Sequence, residues 1–285
     1  MSTQKDLPNT YMVQDTKDGK EISRLVIQDR MMTRAMGGVL SEQEDPTKFK
    51  RIVDVACGPG AWLLDLAQEY PLEEGIGVDT SAKSIEYANT QAKKLGLADR
   101  VVFRSMDATS ALQFPDQTFD LVNLRLGQSF LRAWEWPNMI SEMLRVTHSN
   151  GTVRLVESYL VPTSGSVALT EVCMTLVRAF VASGRLQEAT PAGMAHKIAP
   201  LLHQHGAKAV QSKEIDVLFR QGTEAGQAYY QDIAHIVQTV RPFLQKFANI
   251  GKNFDDLGRQ ALQDMQQPGF ELTGRIVVAW GKKAP

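Results

Sequence analysis

The stretch Arg51 to Trp62, R-I-V-D-V-A-C-G-P-G-A-W, constrains this chain more than any other. An apolar, mostly β-branched run (Ile52, Val53, Val55, Ala56) stops at Gly58, Pro59 and Gly60, and a helix-compatible segment follows, Ala61 to Tyr70. That order predicts a strand, a tight loop and a helix N-terminus of a βαβ unit. Such a loop is a ligand site. Glycine carries no Cβ, so the backbone approaches a bound molecule closely, and the free N–H groups at the helix start favour a carboxylate or phosphate.

The identity of the ligand rests on what surrounds the loop. The dinucleotide fingerprint G-x-G-x-x-G places a third glycine where helix packs on strand; here Gly58 and Gly60 are followed by Leu63, beside the bulky Trp62, so a pyrophosphate loop fits poorly. A second apolar segment, Leu72 to Val78, ends in Asp79, nineteen residues past Gly60. A carboxylate at the tip of the second strand accepts hydrogen bonds from ribose hydroxyls. Asp79 alternatively caps the next helix, although Thr80 or Ser81 is equally suited to that role. A third strand, Val101 to Arg104, runs into Ser105-Met106-Asp107-Ala108, and a fourth reads F-D-L-V-N-L-R-L, Phe119 to Leu126.

Read as D-x-A-x-G-x-G (Asp54, Ala56, Gly58, Gly60), the loop resembles that of the class I S-adenosylmethionine-dependent methyltransferases. With Asp79, Asp107 and the F-D-L-V strand in order, the resemblance covers roughly residues 48 to 158. Ala56 stands where that family has its first glycine. The resemblance implies S-adenosyl-L-methionine as cofactor, bound by Tyr11, Ala56, Cys57, Gly58, Gly60, Asp79, Thr80, Met106, Asp107, Ala108 and Arg125. In that family an acid at the place of Asp107 accepts from the adenine amino group, with Met106 and Ala108 flanking the ring. Arg125 and Gln128 follow the fourth strand and are candidates to hold the methionine carboxylate or a polar acceptor group. A helix ahead of the first strand, here Lys20 to Met36 closed by Gly37-Gly38, lies across the cofactor mouth in that family; Tyr11 and Arg30 to Thr33 are then lid contacts, Tyr11 equally a packing aromatic.

The expected fold is α/β: a Rossmann-like, seven-stranded, mostly parallel sheet with helices on both faces, an N-terminal helical lid and a helical cap insertion. Residues 1–45 form the lid, 46–160 the cofactor-binding core, 161–270 the cap with the sixth strand, and 271–285 the final strand of the core sheet. Within the cap the pattern predicts helices over Val167 to Ser183, His196 to His205, Gln227 to Ala248 with a kink at Pro242, and Asp255 to Gln266. Trp134 to His148 is a further helix, Asn150-Gly151 a turn, and Thr152 to Val156 the fifth strand, ending at Glu157.

Composition narrows the partners. A hydrophobic content of 43%, a charged content of 22% and a net charge of −1 are those of an ordinary globular protein, with no global attraction to nucleic acid or an acidic membrane surface. No apolar run of about 18 residues is present, so no membrane span and a cytoplasmic location are expected. Two cysteines, Cys57 and Cys173, make neither a disulfide framework nor a zinc site, Cys57 reading as an apolar filler of the loop. His196, His203 and His205 do not share a helix face, so no metal is expected, and His235 reads as a core histidine.

Methyl transfer from a sulfonium is an in-line displacement that demands alignment and a dry site more than a dedicated base. Glu157 and Arg125 are the candidate catalytic residues, Glu157 standing at the end of the fifth strand, towards the acceptor. The polar-Pro-Pro-aromatic motif of amino-group methylases is replaced by N-L-R-L-G-Q, and basic clusters interleaved with aromatics are missing. The expected activity is therefore methylation of a small, lipophilic metabolite, at oxygen by family frequency, with a homodimer allowed. Rival readings are a non-catalytic S-adenosylmethionine-binding module and an NAD-dependent dehydrogenase.

Overall fold

The computed structural model describes residues 19–248, 250 and 253–285. Tyr11 lies outside them. Parallel strands β1 (Arg51–Val55), β2 (Glu74–Asp79), β3 (Val101–Ser105), β4 (Phe119–Arg125) and β5 (Thr147–Ser158) form the centre of one sheet in the order β3-β2-β1-β4-β5. Strand β8 (Glu271–Lys282) then runs antiparallel to β5, and β7 (Lys208–Arg220) pairs along its other side. The two-residue β6 (Thr163–Ser164) meets the start of β8. The sheet therefore has the seven expected strands plus this short eighth, β6. Strands buried on both faces read as continuous apolar runs, which is why the central ones were recognisable.

Strand order reverses between β1 and β4, and ligands of open α/β sheets bind in the crevice at such a switch point. Helix α2 (Ala61–Glu69) starts directly after Gly60, whose φ of 76° suits glycine. A Cβ at Gly60 or at Gly77 would overlap the Phe103 ring of β3, so these two glycines let α2 and β2 close over that ring. Helix α3 (Ala82–Lys94) is capped by Ser81, whose hydroxyl accepts the Ser84 N–H at 3.3 Å. Helix α1 (Lys20–Ala35) lies over the sheet, with Met32 and Met36 packed on Val156, Ile276 and Val278.

The second half departs from its pattern in two places. The single kinked helix expected over Gln227 to Ala248 is two helices, α7 (Glu224–Thr239) and α8 (Arg241–Phe247). Pro242 lacks the N–H an unbroken helix needs but suits the first turn of a new one, so the chain restarts at Val240. The expected Asn150-Gly151 turn lies inside β5, where pairing with β4 slips between Phe119 and Leu121 and residues 148–151 bulge out. Helices α4 (Trp136–Val146), α5 (Val167–Ala182), α6 (Ile198–Gln204) and α9 (Phe254–Met265) complete the layers, and α5, α8 and α9 meet around Leu169, Val177, Phe180, Phe243 and Ala261 in the largest apolar core.

Candidate active site

A cavity of about 750 Å³ opens at the carboxyl edge of the sheet, within the roughly 300–1,000 Å³ typical of small-molecule sites. One end is walled by the glycine loop and the ends of β2 and β3, the other by α5, α7, α8 and β7. Ala56, Cys57, Gly58, Asp79, Thr80, Met106, Asp107, Ala108 and Arg125 all line it, as do Gln128 and, from the predicted lid, Met31 and Met32. Gly60 does not; its missing side chain leaves room for Phe103 behind the loop. At Gly58, with φ of 52°, an added Cβ would come near only Leu25 of α1, 3.9 Å away. Ala56 sits at φ 55°, a left-handed conformation that costs a non-glycine residue roughly 1–2 kcal/mol. This explains why glycine suits that place in the resembling loop.

The two acids stand at the ends of paired strands, Asp79 as the last residue of β2 and Asp107 two residues past β3. Asp79 accepts the Gly58 N–H at 2.9 Å on one oxygen and the Ser81 N–H at 2.8 Å on the other. A carboxylate has about four acceptor positions, so room remains for a further donor. Burial pushes its pKa above the usual carboxylate range, opposed by the N–H groups of Ser81, Gly58 and Thr80. Asp107 is exposed and accepts from the backbone and hydroxyl of Thr109 on a single oxygen, at 2.9 and 2.7 Å.

Beneath the site runs a row of buried polar side chains of which the sequence reading singled out Asp54 alone, as part of the loop motif. Asp54, Asn123 and Arg154 are register neighbours on β1, β4 and β5. Asn123 donates to Asp54 at 2.7 Å, Arg154 donates to Asn123 at 2.8 Å, and Arg154 pairs with Glu42 at 2.8 Å, both side chains 1% exposed. Burial pushes Glu42 up, yet Arg154 outweighs it and the carboxyl ends below its ordinary value. Asp54, which lines the cavity, is pushed up by burial to about 7, against the pull of Arg125. Asp54, Asn123 and Arg154 are polar interruptions of apolar strands, which is the signal that marks them.

Arg125 and Glu157 stand differently from their expected roles. The Arg125 guanidinium pairs with Asp29 of α1, reaches Thr33 at 3.4 Å and lies 5.6 Å from the Trp62 ring. It thus ties the lid helix to β4 rather than presenting a free cation. Glu157 is turned away from the cavity and is 1% exposed; one oxygen accepts the Gln128 N–H at 3.1 Å and the other has no partner. Burial raises its pKa to about 8, against the N–H groups of Gln128 and Gly127. The strand's period of two explains the correction, since residues 153, 155 and 157 share a face and Val153 and Leu155 are core.

A pH dependence follows from Glu157 and Asp54. Both carboxyls have folded-state pKa values raised above the ordinary 4.5 and 3.8, so between those values and about 8 the folded state holds more protons than the unfolded one. Stability then falls as pH rises through this window. Glu157→Gln is expected to flatten that fall in denaturant titrations at pH 5 to 8; an unchanged slope would show that Glu157 ionises normally.

A second polar network fastens the lid. Arg24 of α1 pairs with Glu21 at 2.7 Å and with Asp232 of α7 at 2.6 Å, while Gln28 donates to Asp232 at 3.2 Å. His235 lies 2.9 Å from Glu21, so it belongs to this network, partly buried. Arg30, another expected lid contact, is instead on the surface, 3.8 Å from Asp65. His196 bonds the Tyr159 hydroxyl and lies 3.7 Å from Glu214. Among the described residues no three His, Cys, Asp or Glu side chains converge as metal ligands, and no helix is long and apolar enough to cross a membrane.

Comparison with known proteins bears directly on this geometry. Residues 52–151, from the first strand through the β5 bulge, match the family model described as a methyltransferase domain. Those residues carry a methyltransferase domain. A demethylmenaquinone methyltransferase of Bacteroides fragilis is 32% identical over 113 residues, 39% of this chain and 44% of the relative, so the chain spans less than half of that protein's length. The 27-O-demethylrifamycin SV methyltransferase of Amycolatopsis mediterranei is 28% identical over 78% of this chain and 69% of the relative, reaching beyond the methyltransferase domain. Among solved structures, geranyl diphosphate C-methyltransferase from Streptomyces coelicolor, in complex with Mg2+, geranyl diphosphate and S-adenosyl-L-homocysteine, superposes with a TM-score of 0.54 at 11% identity, covering 98% of this chain and 89% of that one. At that identity the likeness speaks for the fold alone.

Proposed function

We infer that this protein transfers a methyl group from S-adenosylmethionine to a small, lipophilic acceptor, at oxygen. One observation carries the reading: a single cavity joins the Gly58, Asp79 and Asp107 end to an apolar chamber roofed by α5, α7 and α8. The first end suits an adenosyl group, with open space at Gly58 and two acids with acceptor positions to spare. The cofactor supplies a methyl on a sulfonium, ready for displacement. The chain's own part is to hold both molecules in line and dry, an arrangement worth on the order of 7–11 kcal/mol of barrier. With Glu157 withdrawn into the core, positioning rather than a carboxylate base at β5 drives the reaction.

The acceptor class follows from the chamber wall. Val172, Leu176, Phe180, Ile233, Val237 and Leu244 face it, and the cavity-lining residues of α5, α7 and α8 include no lysine or arginine. Arg275 of β8, which also lines the cavity, is paired with Asp216 at 2.6 Å, so the wall is poorly suited to a phosphate and disfavours an acceptor like the geranyl diphosphate of the structural relative. Oxygen as the methylated atom is supported by the rifamycin relative, whose name specifies a 27-O position and whose likeness spans most of the chain. The dehydrogenase reading is opposed by Leu63 in place of the third glycine and by the antiparallel β8, since the dinucleotide fold continues with parallel strands. A small-molecule partner, cytoplasmic residence and no nucleic-acid or membrane partner belong to the same reading.

Asp79→Ala is expected to weaken S-adenosylhomocysteine binding about 10- to 150-fold, the loss of charge-assisted hydrogen bonds worth roughly 1.5–3 kcal/mol. Calorimetric titration reads this directly, and Asp79→Asn, which keeps one carbonyl oxygen, should lose less. Equal affinity in all three proteins would remove Asp79 from the site. Formation of S-adenosylhomocysteine from a panel of hydroxylated aromatic acceptors tests turnover; tight cofactor binding with no turnover on any acceptor would favour the non-catalytic module.

A further inference from the structure

Among the polar groups that line the cavity is the phenol of Tyr229. Tyr229 of α7 lines the cavity with Cys173 and Leu176 of α5 opposite, and its ring stacks on Phe219 of β7, centroids 4.5 Å apart and planes 30° from parallel. Stacking fixes the ring on one face, so the hydroxyl is held rather than swinging. That hydroxyl has no hydrogen-bond partner among the described residues, whereas the other polar side chains nearby are engaged: Asp232 with Arg24 and Gln28, and Gln128 with Ser158 and Met194. Tyr229 is partly buried, and a hydroxyl with no protein partner in a cavity wall has its donor available to a ligand oxygen. Apolar sites characteristically fix orientation through a few such groups.

We propose that Tyr229 is the positioning residue of the acceptor site, donating a hydrogen bond to an oxygen of a neutral, largely apolar ring molecule. This rests on the methyltransferase reading and adds the acceptor's chemistry to it. Burial, with the Cys173 thiol and the Asp232 carboxylate nearby, holds the Tyr229 phenol well above its ordinary value, so it stays neutral and serves as a donor, not as a base. A donor on the attacked oxygen would withdraw electron density from it. The bonded oxygen is therefore a second one on the acceptor, a carbonyl or hydroxyl that sets the ring's orientation while the methylated oxygen faces the sulfonium.

The test compares binding of 1-naphthol, naphthalene and 1-naphthyl phosphate to the S-adenosylhomocysteine-saturated protein, wild type and Tyr229→Phe. Wild type should prefer 1-naphthol to naphthalene by about fivefold, one hydrogen bond's worth. Tyr229→Phe should abolish that preference while leaving naphthalene and S-adenosylhomocysteine affinities unchanged, and the phosphate should bind weakest to both proteins. A preference that survives in Tyr229→Phe overturns the assignment of the hydroxyl. Cofactor binding with no naphthyl binding, or with the phosphate bound tightest, overturns the acceptor class alone. Wild-type protein that binds no S-adenosylhomocysteine fails the methyltransferase reading, and this proposal with it.

Discussion

Glu42→Ala is expected to destabilise the protein by about 3–5 kcal/mol, the cost of leaving a buried guanidinium without its counter-ion. Arg154 is 1% exposed and has Glu42 as its carboxylate partner; its other hydrogen bond goes to the neutral amide of Asn123. The damage would spread along the row to Asp54, which depends on Asn123 for its own hydrogen bond. The double variant Glu42→Ala with Arg154→Met should recover much of the loss, because replacing a whole buried pair by apolar side chains is often neutral or better. Urea unfolding of the three proteins measures both effects. A loss below about 1 kcal/mol in the single variant, the range of exposed pairs, would mean that water reaches Arg154.

Gly58→Val should abolish cofactor binding while the fold survives. A side chain there would project between the loop and Leu25, into the end of the cavity walled by Asp79. The left-handed backbone adds roughly 1–2 kcal/mol of strain for any side chain, a fall of a few degrees in Tm for a protein of this size. Gly58→Ala carries the left-handed strain without the β-branch or the bulk, so it should melt no lower than the valine variant and keep more S-adenosylhomocysteine affinity. Equal, undiminished binding in both would show that the loop does not face the ligand.

Much of this architecture was legible because its signals are local. The β1 run, the glycine turn and the amphipathic α2 are each written within a dozen residues, and strand order follows once βαβ units are recognised. What escaped requires register or tertiary contact. Asp54, Asn123 and Arg154 lie far apart in the chain and become a row only when β1, β4 and β5 align. Glu42 sits in S-E-Q-E-D-P-T-K, which reads as a solvated linker, yet it is buried by Arg154. Glu157 was recognisable as the end of a strand, and counting by twos from Val153 would have turned it inward. Arg125 needed knowledge of Asp29, a residue 96 positions away on the lid. Pro242 marked the right spot but produced a restart instead of a kink, because a proline suits a first turn better than a helix interior.

The central claim is that one adenosyl cofactor lies across the switch point between β1 and β4, against the glycine loop. A crystal structure of the protein with S-adenosylhomocysteine measures this directly. The ribose hydroxyls should lie within hydrogen-bond distance of the Asp79 carboxylate, the adenine amino group should face Asp107, and the thioether sulfur should point towards the chamber that holds Tyr229. Density for the nucleoside in another cleft, or Asp79 and Asp107 facing separate pockets with the ligand bound, would contradict the account.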